Sequence, residues 1–109
     1  MAKRVNEDNF EEEVLLAKEP VVVDFYSDSC VPCKQLSVLL GELEEDYEDK
    51  LKLVKVNVNF DLGLADKYKV KASPTLLFLY EGKEHSRLQG GVKKAVIAEH
   101  IEQIINLRR

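Results

Sequence analysis

The order of the predicted elements indicates an α/β protein with a mixed central sheet covered by helices on both faces. Strand and helix patterns alternate in the first part of the chain, which implies parallel strands joined by helical crossovers. Two later strand patterns are separated by a tight turn, and this hairpin adds antiparallel strands. One strand pattern is uniformly apolar, which favours a central position with both faces buried. The predicted order is β-α-β-α-β-α-β-β-α.

The N-terminal half contains two strand patterns and two helix patterns. Residues 3–5 are a candidate short strand, and Asn6 is the candidate N-cap of a helix that Pro20 closes. The run Val21–Tyr26 is β-branched and aromatic, so it predicts the buried central strand. A stripe of leucines at helical spacing predicts the second helix: Leu36, Leu39, Leu40 and Leu43.

The C-terminal half predicts a strand, a short helix, a hairpin and a final helix. Leu51–Val58 alternates between apolar and polar residues, as a strand does. Asp61–Tyr68 is a short helix candidate with its first residue as the cap. A Glu-Gly turn joins the strands Thr75–Tyr80 and Lys83–Gln89. Apolar residues at helical spacing over Val92–Ile105 predict an amphipathic helix.

Size and charge limit the possible function classes. A chain of 109 residues predicts one domain over 1–109, long enough for a hydrophobic core. A net charge of −4 argues against a nucleic-acid-binding surface, which is usually basic. The N-terminus lacks the apolar region of a signal peptide, and no apolar run is long enough to cross a membrane. We therefore expect a cytosolic monomer that binds neither nucleic acid nor membranes.

The only two cysteines, Cys30 and Cys33, lie where the buried strand gives way to the second helix. The N-terminus of a helix favours a thiolate through its unpaired N–H groups and its dipole. In a reducing cytosol such a pair is more often redox-active than structural. A structural disulfide would close a very short loop, and zinc needs about four ligands, with only His85 and His100 left as nitrogen donors.

A carboxylate interrupts the apolar strand at Asp24. Burial of an unpaired carboxylate is costly, so its presence calls for a reason. Asp24 could accept and donate a proton for Cys33, with a pKa raised by burial. Alternatively, it is partly solvated or forms a purely structural pair with Lys55 on the neighbouring strand.

Taken together, these motifs resemble the thioredoxin family over essentially the whole chain. Asp-Phe-Tyr followed by C-x-P-C looks like the active-site segment of that family. Ser73-Pro74-Thr75 looks like its cis-proline turn, and Gly82 and Gly90 fall at its hairpin turn and pre-helix positions. By itself the sequence pattern around Pro74 favours a trans bond, and only the resemblance favours cis.

Four positions depart from the usual pattern of the family. Ser29 replaces a tryptophan before the first cysteine, and Val31 replaces a glycine between the cysteines. Val38 stands where a proline often kinks the helix, and Ser73 replaces an apolar residue before the proline. Ser29 and Val31 fall where partners dock in the family.

The resemblance implies a thioredoxin fold and a protein-disulfide reductant. Cys30, expected to be exposed, would attack the substrate disulfide, and the more buried Cys33 would resolve the mixed disulfide. Asp24 would move the proton and Lys55 would tune it. Pro32, expected at the first helical position, leaves no basic residue between the cysteines, which suggests a reductant rather than an oxidase or isomerase.

The resemblance also implies the partners of the protein. No bound cofactor is expected, because a separate thioredoxin reductase would supply the electrons. Disulfide-containing proteins are the expected substrates, and Ser73 could pair with an extended substrate segment. The candidate substrate-binding residues are Ser29, Val31, Pro32, Ser73, Pro74 and Gly90. Two alternatives stay open: an electron carrier dedicated to one redox system, and a binding module whose redox activity is incidental.

Overall fold

A five-stranded mixed sheet forms the centre of the computed structural model, which describes residues 2–108. The strands are β1 (Lys3–Arg4), β2 (Val21–Tyr26), β3 (Lys52–Asn57), β4 (Thr75–Tyr80) and β5 (Lys83–Gln89). The helical segments are a π-helical turn (Glu11–Leu15), α1 (Val31–Asp46), α2 (Leu62–Lys67) and α3 (Lys94–Leu107). Within this described range, no helix combines the length and apolar character needed to cross a membrane.

The strands lie in the order β1-β3-β2-β4-β5, with β1 and β5 at the two edges of the sheet. β3 pairs in parallel with both β1 and β2, whereas β4 is antiparallel to β2 and β5. The predicted α/β class with a mixed sheet is therefore confirmed. Because of these directions, the C-terminal ends of β2, β3 and β5 lie at the same end of the sheet as the start of β4. The cysteines follow β2 at this end.

Two hydrophobic cores lie on opposite faces of the sheet. On one face, Phe10 and Val14 of the N-terminal segment pack with Phe25. On the other face, Leu40 of α1 and Ile101 of α3 pack in a second core against the sheet. Because burial of one large apolar side chain contributes about 1.5–3 kcal/mol, these two layers hold the sheet and helices in place.

The first helical segment differs from the regular helix that the sequence predicts. The residue that precedes this segment is Phe10, not the predicted cap Asn6. Asn6 instead stabilises the turn before it, since its Oδ1 accepts hydrogen bonds from the backbone N–H groups of Asp8 (2.9 Å) and Asn9 (3.2 Å). The segment then widens into one π turn, in which the N–H of Leu16 bonds to the carbonyl of Glu11 at 2.9 Å.

The other helices begin within two residues of their predicted starts. Asp61 is the residue before α2, as predicted, but its buried side chain accepts a hydrogen bond from the N–H of Glu7 (3.3 Å) rather than capping α2. α3 begins at Lys94, two residues after its predicted start at Val92. The preceding Lys93 is extended, with φ −79° and ψ 150°, so the chain becomes helical only after it.

Candidate active site

The two cysteines lie at the first turn of α1 and form a disulfide, with their Cα atoms 5.2 Å apart. Cys30 is the N-cap of α1, and its Sγ accepts a hydrogen bond from the N–H of Cys33 at 3.1 Å. Cys33 is only 5% exposed, as expected for the inner cysteine. Cys30 is half-buried rather than exposed, because its sulfur turns toward the helix and bonds to Cys33.

The helix start suits a negative sulfur atom. The first N–H groups of a helix have no partners within the helix, and the dipole places partial positive charge there. The first turn of α1 carries no acidic residue whose negative charge would destabilise a nearby thiolate. Pro32 occupies the second helical position, not the first as predicted, because Val31 already takes the place after the Cys30 cap. Neither position needs its N–H for helical bonding.

A cavity of about 210 Å³ opens beside Cys33. Its lining comprises Asp24, Tyr26, Ser27, Asp28, Cys33, Lys34, Ser37 and Lys55. Asp24 is 4% exposed, and its Oδ1 has no hydrogen-bond partner among the described residues. Burial raises the pKa of Asp24 from 3.8 to about 7, against the opposing effect of the Lys55 charge. The cavity therefore holds a carboxyl group that can change its protonation near neutral pH beside a reactive sulfur.

Lys55 lies directly opposite Asp24 on the neighbouring strand. The structure describes both side chains, and the Lys55 ammonium nitrogen does not lie within 4 Å of a carboxylate oxygen of Asp24. The structural ion pair considered for these two residues is therefore not formed. Instead, the Nζ of Lys55 lies 5.6 Å from the centre of the Tyr26 ring, in a cation–π contact. This contact is possible because Tyr26 is two residues further along β2 than Asp24 and lines the same cavity as Lys55.

The peptide bond between Ser73 and Pro74 is cis, as the resemblance implied. Thr75 pairs with Phe25, so Pro74 lies beside the end of β2 that leads to Cys30. Pro74 is buried and Ser73 half-buried.

Gly90 closes the same region from β5. Its N–H donates to the carbonyl of Pro74 at 2.9 Å, and its φ of +77° is a conformation that glycine adopts without strain.

Three of the candidate substrate-binding residues are exposed: Ser29, Val31 and Pro32, with Val31 63% exposed. The topology thus brings the predicted binding residues to the same end of the sheet as the disulfide.

A hydrogen-bonded network at the loop before Cys30 was not predicted from the sequence. The buried Asn57 donates from Nδ2 to Oδ1 of Asp28 at 2.9 Å, and its own Oδ1 accepts from the N–H of Asn59 at 2.8 Å. Asn59 in turn accepts from the N–H of Asp28 at 3.0 Å. The network ties the loop before Cys30 to the end of β3. Its only signal in the sequence is the group of polar residues that follows two neighbouring strands.

Metal chemistry receives no support from the described residues. Over residues 2–108, no group of three or more His, Cys, Asp or Glu side chains is arranged to hold a metal ion. His100, one of the two nitrogen donors, instead packs against Phe78 with ring centres 5.0 Å apart and the ring planes tilted by 36°. Its Nδ1 lies 2.7 Å from the hydroxyl oxygen of Ser86.

Comparison with known proteins gives a consistent result. The thioredoxin family model matches residues 1–103. The chain is 35% identical over 105 residues to a chloroplastic M-type thioredoxin of Chlamydomonas reinhardtii, covering 96% of this chain and 75% of that protein. It is 33% identical over 100 residues to a thioredoxin of Griffithsia pacifica, covering 92% of each. It is also 33% identical over 105 residues to a thioredoxin of Rickettsia bellii, covering 96% of this chain and 100% of that protein.

Fold, cysteine spacing and similarity therefore agree. The mixed sheet with its helices is the thioredoxin fold, and Cys30 and Cys33 fit the C-x-x-C active site of the family. The two cysteines lie at disulfide distance, which matches thiol–disulfide oxidoreductase chemistry. The chain belongs to the thioredoxin family of oxidoreductases.

Proposed function

We propose that this protein reduces disulfides in other proteins by cycling between a dithiol and a disulfide at Cys30 and Cys33. The observation that carries the proposal is the cysteine pair at the start of α1, where Cys33 opens onto the cavity that contains Asp24. A helix N-terminus supplies a reactive thiolate, and the cavity supplies a group that can accept a proton.

The reaction starts from the reduced pair. The Cys30 thiolate attacks one sulfur of the substrate disulfide, whose S–S bond breaks, and the other substrate sulfur leaves as a thiolate that takes a proton from water. Cys30 is then joined to the substrate by a mixed disulfide. The Cys33 thiolate attacks Cys30 Sγ, and the second substrate sulfur leaves. The substrate gains two electrons and the cysteine pair loses two.

Asp24 is the proposed proton acceptor for Cys33. The Cys33 thiol must lose its proton before it attacks, and a carboxylate with a pKa of about 7 is a stronger base than an ordinary one. When the disulfide is reduced again, the protonated Asp24 can return the proton to the leaving Cys33 thiolate. Lys55, directly opposite Asp24, tunes this group through its charge.

The proposed substrate surface surrounds the half-buried Cys30. The exposed side chains of Ser29, Val31 and Pro32 lie before and just after the nucleophile. On the other side, Ser73 lies just before the strand β4, where its backbone can pair with an extended substrate segment. Pro74 and Gly90, joined by a backbone hydrogen bond, complete this surface.

The remaining features of the proposal concern the setting of the reaction. A thioredoxin reductase supplies the electrons, no bound cofactor takes part, and the protein acts as a single-domain monomer. The reducing cytosol is the proposed compartment, because a dithiol reductant must be kept reduced between turnovers. Fractionation of cells tests the compartment directly, since similar proteins include chloroplastic thioredoxins.

The test is a disulfide-reduction assay with insulin as substrate and dithiothreitol as the electron source. The wild-type protein is expected to accelerate insulin reduction, and Cys30→Ser to abolish the acceleration. Cys33→Ser is expected to accumulate a mixed disulfide with a substrate, visible by non-reducing electrophoresis and mass spectrometry. Val38→Ala is the control, because this exposed side chain of α1 does not line the cavity and the variant keeps both sulfurs in place. A Cys30→Ser variant with wild-type activity would contradict the proposed mechanism.

A carrier dedicated to one redox system is the second candidate, favoured by the exposed Val31 and Ser29 at the docking surface. Replacement of both by the usual family residues, Val31→Gly and Ser29→Trp, separates the two candidates. A general reductant gains or keeps activity on insulin, whereas a dedicated carrier loses coupling to its own partner. The reduction potential tests the reductant proposal itself: a value near about −270 mV supports it, and a value of about −120 to −180 mV would point to a disulfide donor or isomerase.

A further inference from the structure

Asp24, Tyr26 and Lys55 share one face of the sheet and line the same cavity. Asp24 and Tyr26 are two residues apart on β2, so their side chains leave the strand on the same side. Lys55 pairs with Asp24 in the parallel register between β2 and β3. The ammonium group of Lys55 therefore has two possible partners on the neighbouring strand, a carboxyl group and an aromatic ring.

In the structure, the ammonium group is held by the ring. Its Nζ lies 5.6 Å from the ring centre of Tyr26, within the usual range of a cation–π contact. Asp24 Oδ1 is buried and has no hydrogen-bond donor among the described residues. A flexible lysine directly opposite a carboxyl group would ordinarily extend toward it, so the ring competes for the ammonium group.

We propose that Tyr26 is a positioning residue that holds the Lys55 ammonium group away from Asp24 and so keeps Asp24 a good proton acceptor. This inference rests on the proposed role of Asp24 as the base for Cys33. An ammonium group in direct contact with a carboxylate favours the charged form and makes the carboxylate a weaker base. With the ring present, Lys55 acts on Asp24 only through its longer-range charge.

The other groups around Asp24 do not duplicate this arrangement. The titratable and charged side chains that line the cavity with it are Tyr26, Asp28, Cys33, Lys34 and Lys55. From β4, Leu76 lies opposite Asp24 and adds no charge. In the oxidised protein Cys33 is bonded to Cys30 and does not titrate. A titration of the oxidised form therefore reports Asp24 without interference from the thiols.

The experiment measures the pKa of Asp24 in the oxidised protein from the ¹³C chemical shift of its carboxyl carbon. In Tyr26→Leu, the pKa of Asp24 is expected to fall by about one to three units, because Lys55 then moves to the carboxylate. In Tyr26→Phe the pKa is expected to stay at its wild-type value, since phenylalanine offers the same ring face. If the leucine variant does not fold, Tyr26→Met serves as the ring-free variant.

A second background separates positioning from packing. Loss of the ring could lower the pKa of Asp24 merely by admitting water. We therefore repeat the Tyr26→Leu titration in a Lys55→Met background, where the fall in pKa is expected to disappear. An equal fall in both backgrounds would overturn the proposal, and so would an unchanged or raised pKa in Tyr26→Leu alone.

Kinetics supply a separate readout for the proposed function. The acidic limb of the pH profile for resolution of the mixed disulfide is expected to move to lower pH in Tyr26→Leu but not in Tyr26→Phe. If the pKa of Asp24 moves as expected and the resolution profile does not, the positioning by Tyr26 stands and the role of Asp24 as the base fails. If neither moves, the positioning itself fails.

Discussion

Replacement of Asp24 by asparagine is expected to stabilise the protein strongly at alkaline pH and very little at acidic pH. Asparagine has almost the same shape as a protonated aspartic acid, but it carries no charge at any pH. The Oδ1 of Asp24 is buried without a donor, and the polar groups of either side chain carry a burial cost that does not change with pH. The part of the difference that changes with pH is therefore the cost of ionising Asp24 in the folded state.

The magnitude follows from the pKa of Asp24. In the folded protein burial raises this pKa from 3.8 to about 7, with Lys55 opposing the rise. The folded state thus holds a proton that the unfolded state releases, and the free energy of unfolding falls as pH rises through this interval. Below pH 3.8 there is no penalty, and above pH 7 it is complete. At about 1.36 kcal/mol per pKa unit, the full penalty is about 4 kcal/mol.

The assay is guanidinium-induced unfolding of the oxidised wild-type and Asp24→Asn proteins at pH 3.5 and pH 8.5. Groups other than Asp24 titrate in both proteins and cancel in the difference between their free energies of unfolding. Asp66→Asn, a matched change at an exposed carboxyl group of α2, is expected to change stability by no more than about 0.5 kcal/mol at either pH. A stabilisation by Asp24→Asn that is equal at the two pH values would refute the reasoning.

Three further changes test the packing and the surface. Gly41→Ala is expected to raise the free energy of unfolding by about 1 kcal/mol in urea titrations, because a Cβ at this helical position meets no atom within 4 Å. Phe78→Ala is expected to lower it by about 3–5 kcal/mol because the ring is fully buried, whereas Val38→Ala, at a side chain that is 65% exposed, should change it little. Hydrogen bonds from Lys3 and Lys52 lower the pKa of Glu13 from 4.5 to about 2. Their contribution is present above pH 4.5 and lost as pH falls toward 2, so Glu13→Gln should lower the urea midpoint at pH 7 and leave it unchanged near pH 2.

The strands whose boundaries are marked by a proline or glycine were predicted most closely. The bounds of β2, β4 and β5 agree with the prediction, because Pro20, Pro74 and Gly82 mark where the pattern changes. The π-helical turn was not predicted, because apolar spacing alone does not distinguish one wide turn from a regular helix. This turn makes contacts far along the chain, since Val14 shares a core cluster with Val54 of β3 and the Nζ of Lys52 donates to the carbonyl of Glu13 at 2.6 Å.

The same division applies to the candidate site. The cysteine pair and Asp24 stand out locally, one as a C-x-x-C motif and the other as a charge within an apolar strand. The cis bond before Pro74 followed from the resemblance alone, since sequence pattern favours the trans form. The contact between Lys55 and Tyr26 was not predicted, because it depends on which of two reachable partners a flexible side chain contacts across neighbouring strands.

The two edges of the sheet bear on how this protein behaves at high concentration. An exposed strand edge can pair with another chain and start aggregation, and natural sheets limit this with short, charged or bulged edge strands. β1 is only two residues long and both are basic, while β5 carries exposed charged residues and shifts register at His85. Neither edge offers a long flat row of unpaired N–H and C=O groups. Collisions between protein molecules therefore need not lead to growth of the sheet from one molecule to the next.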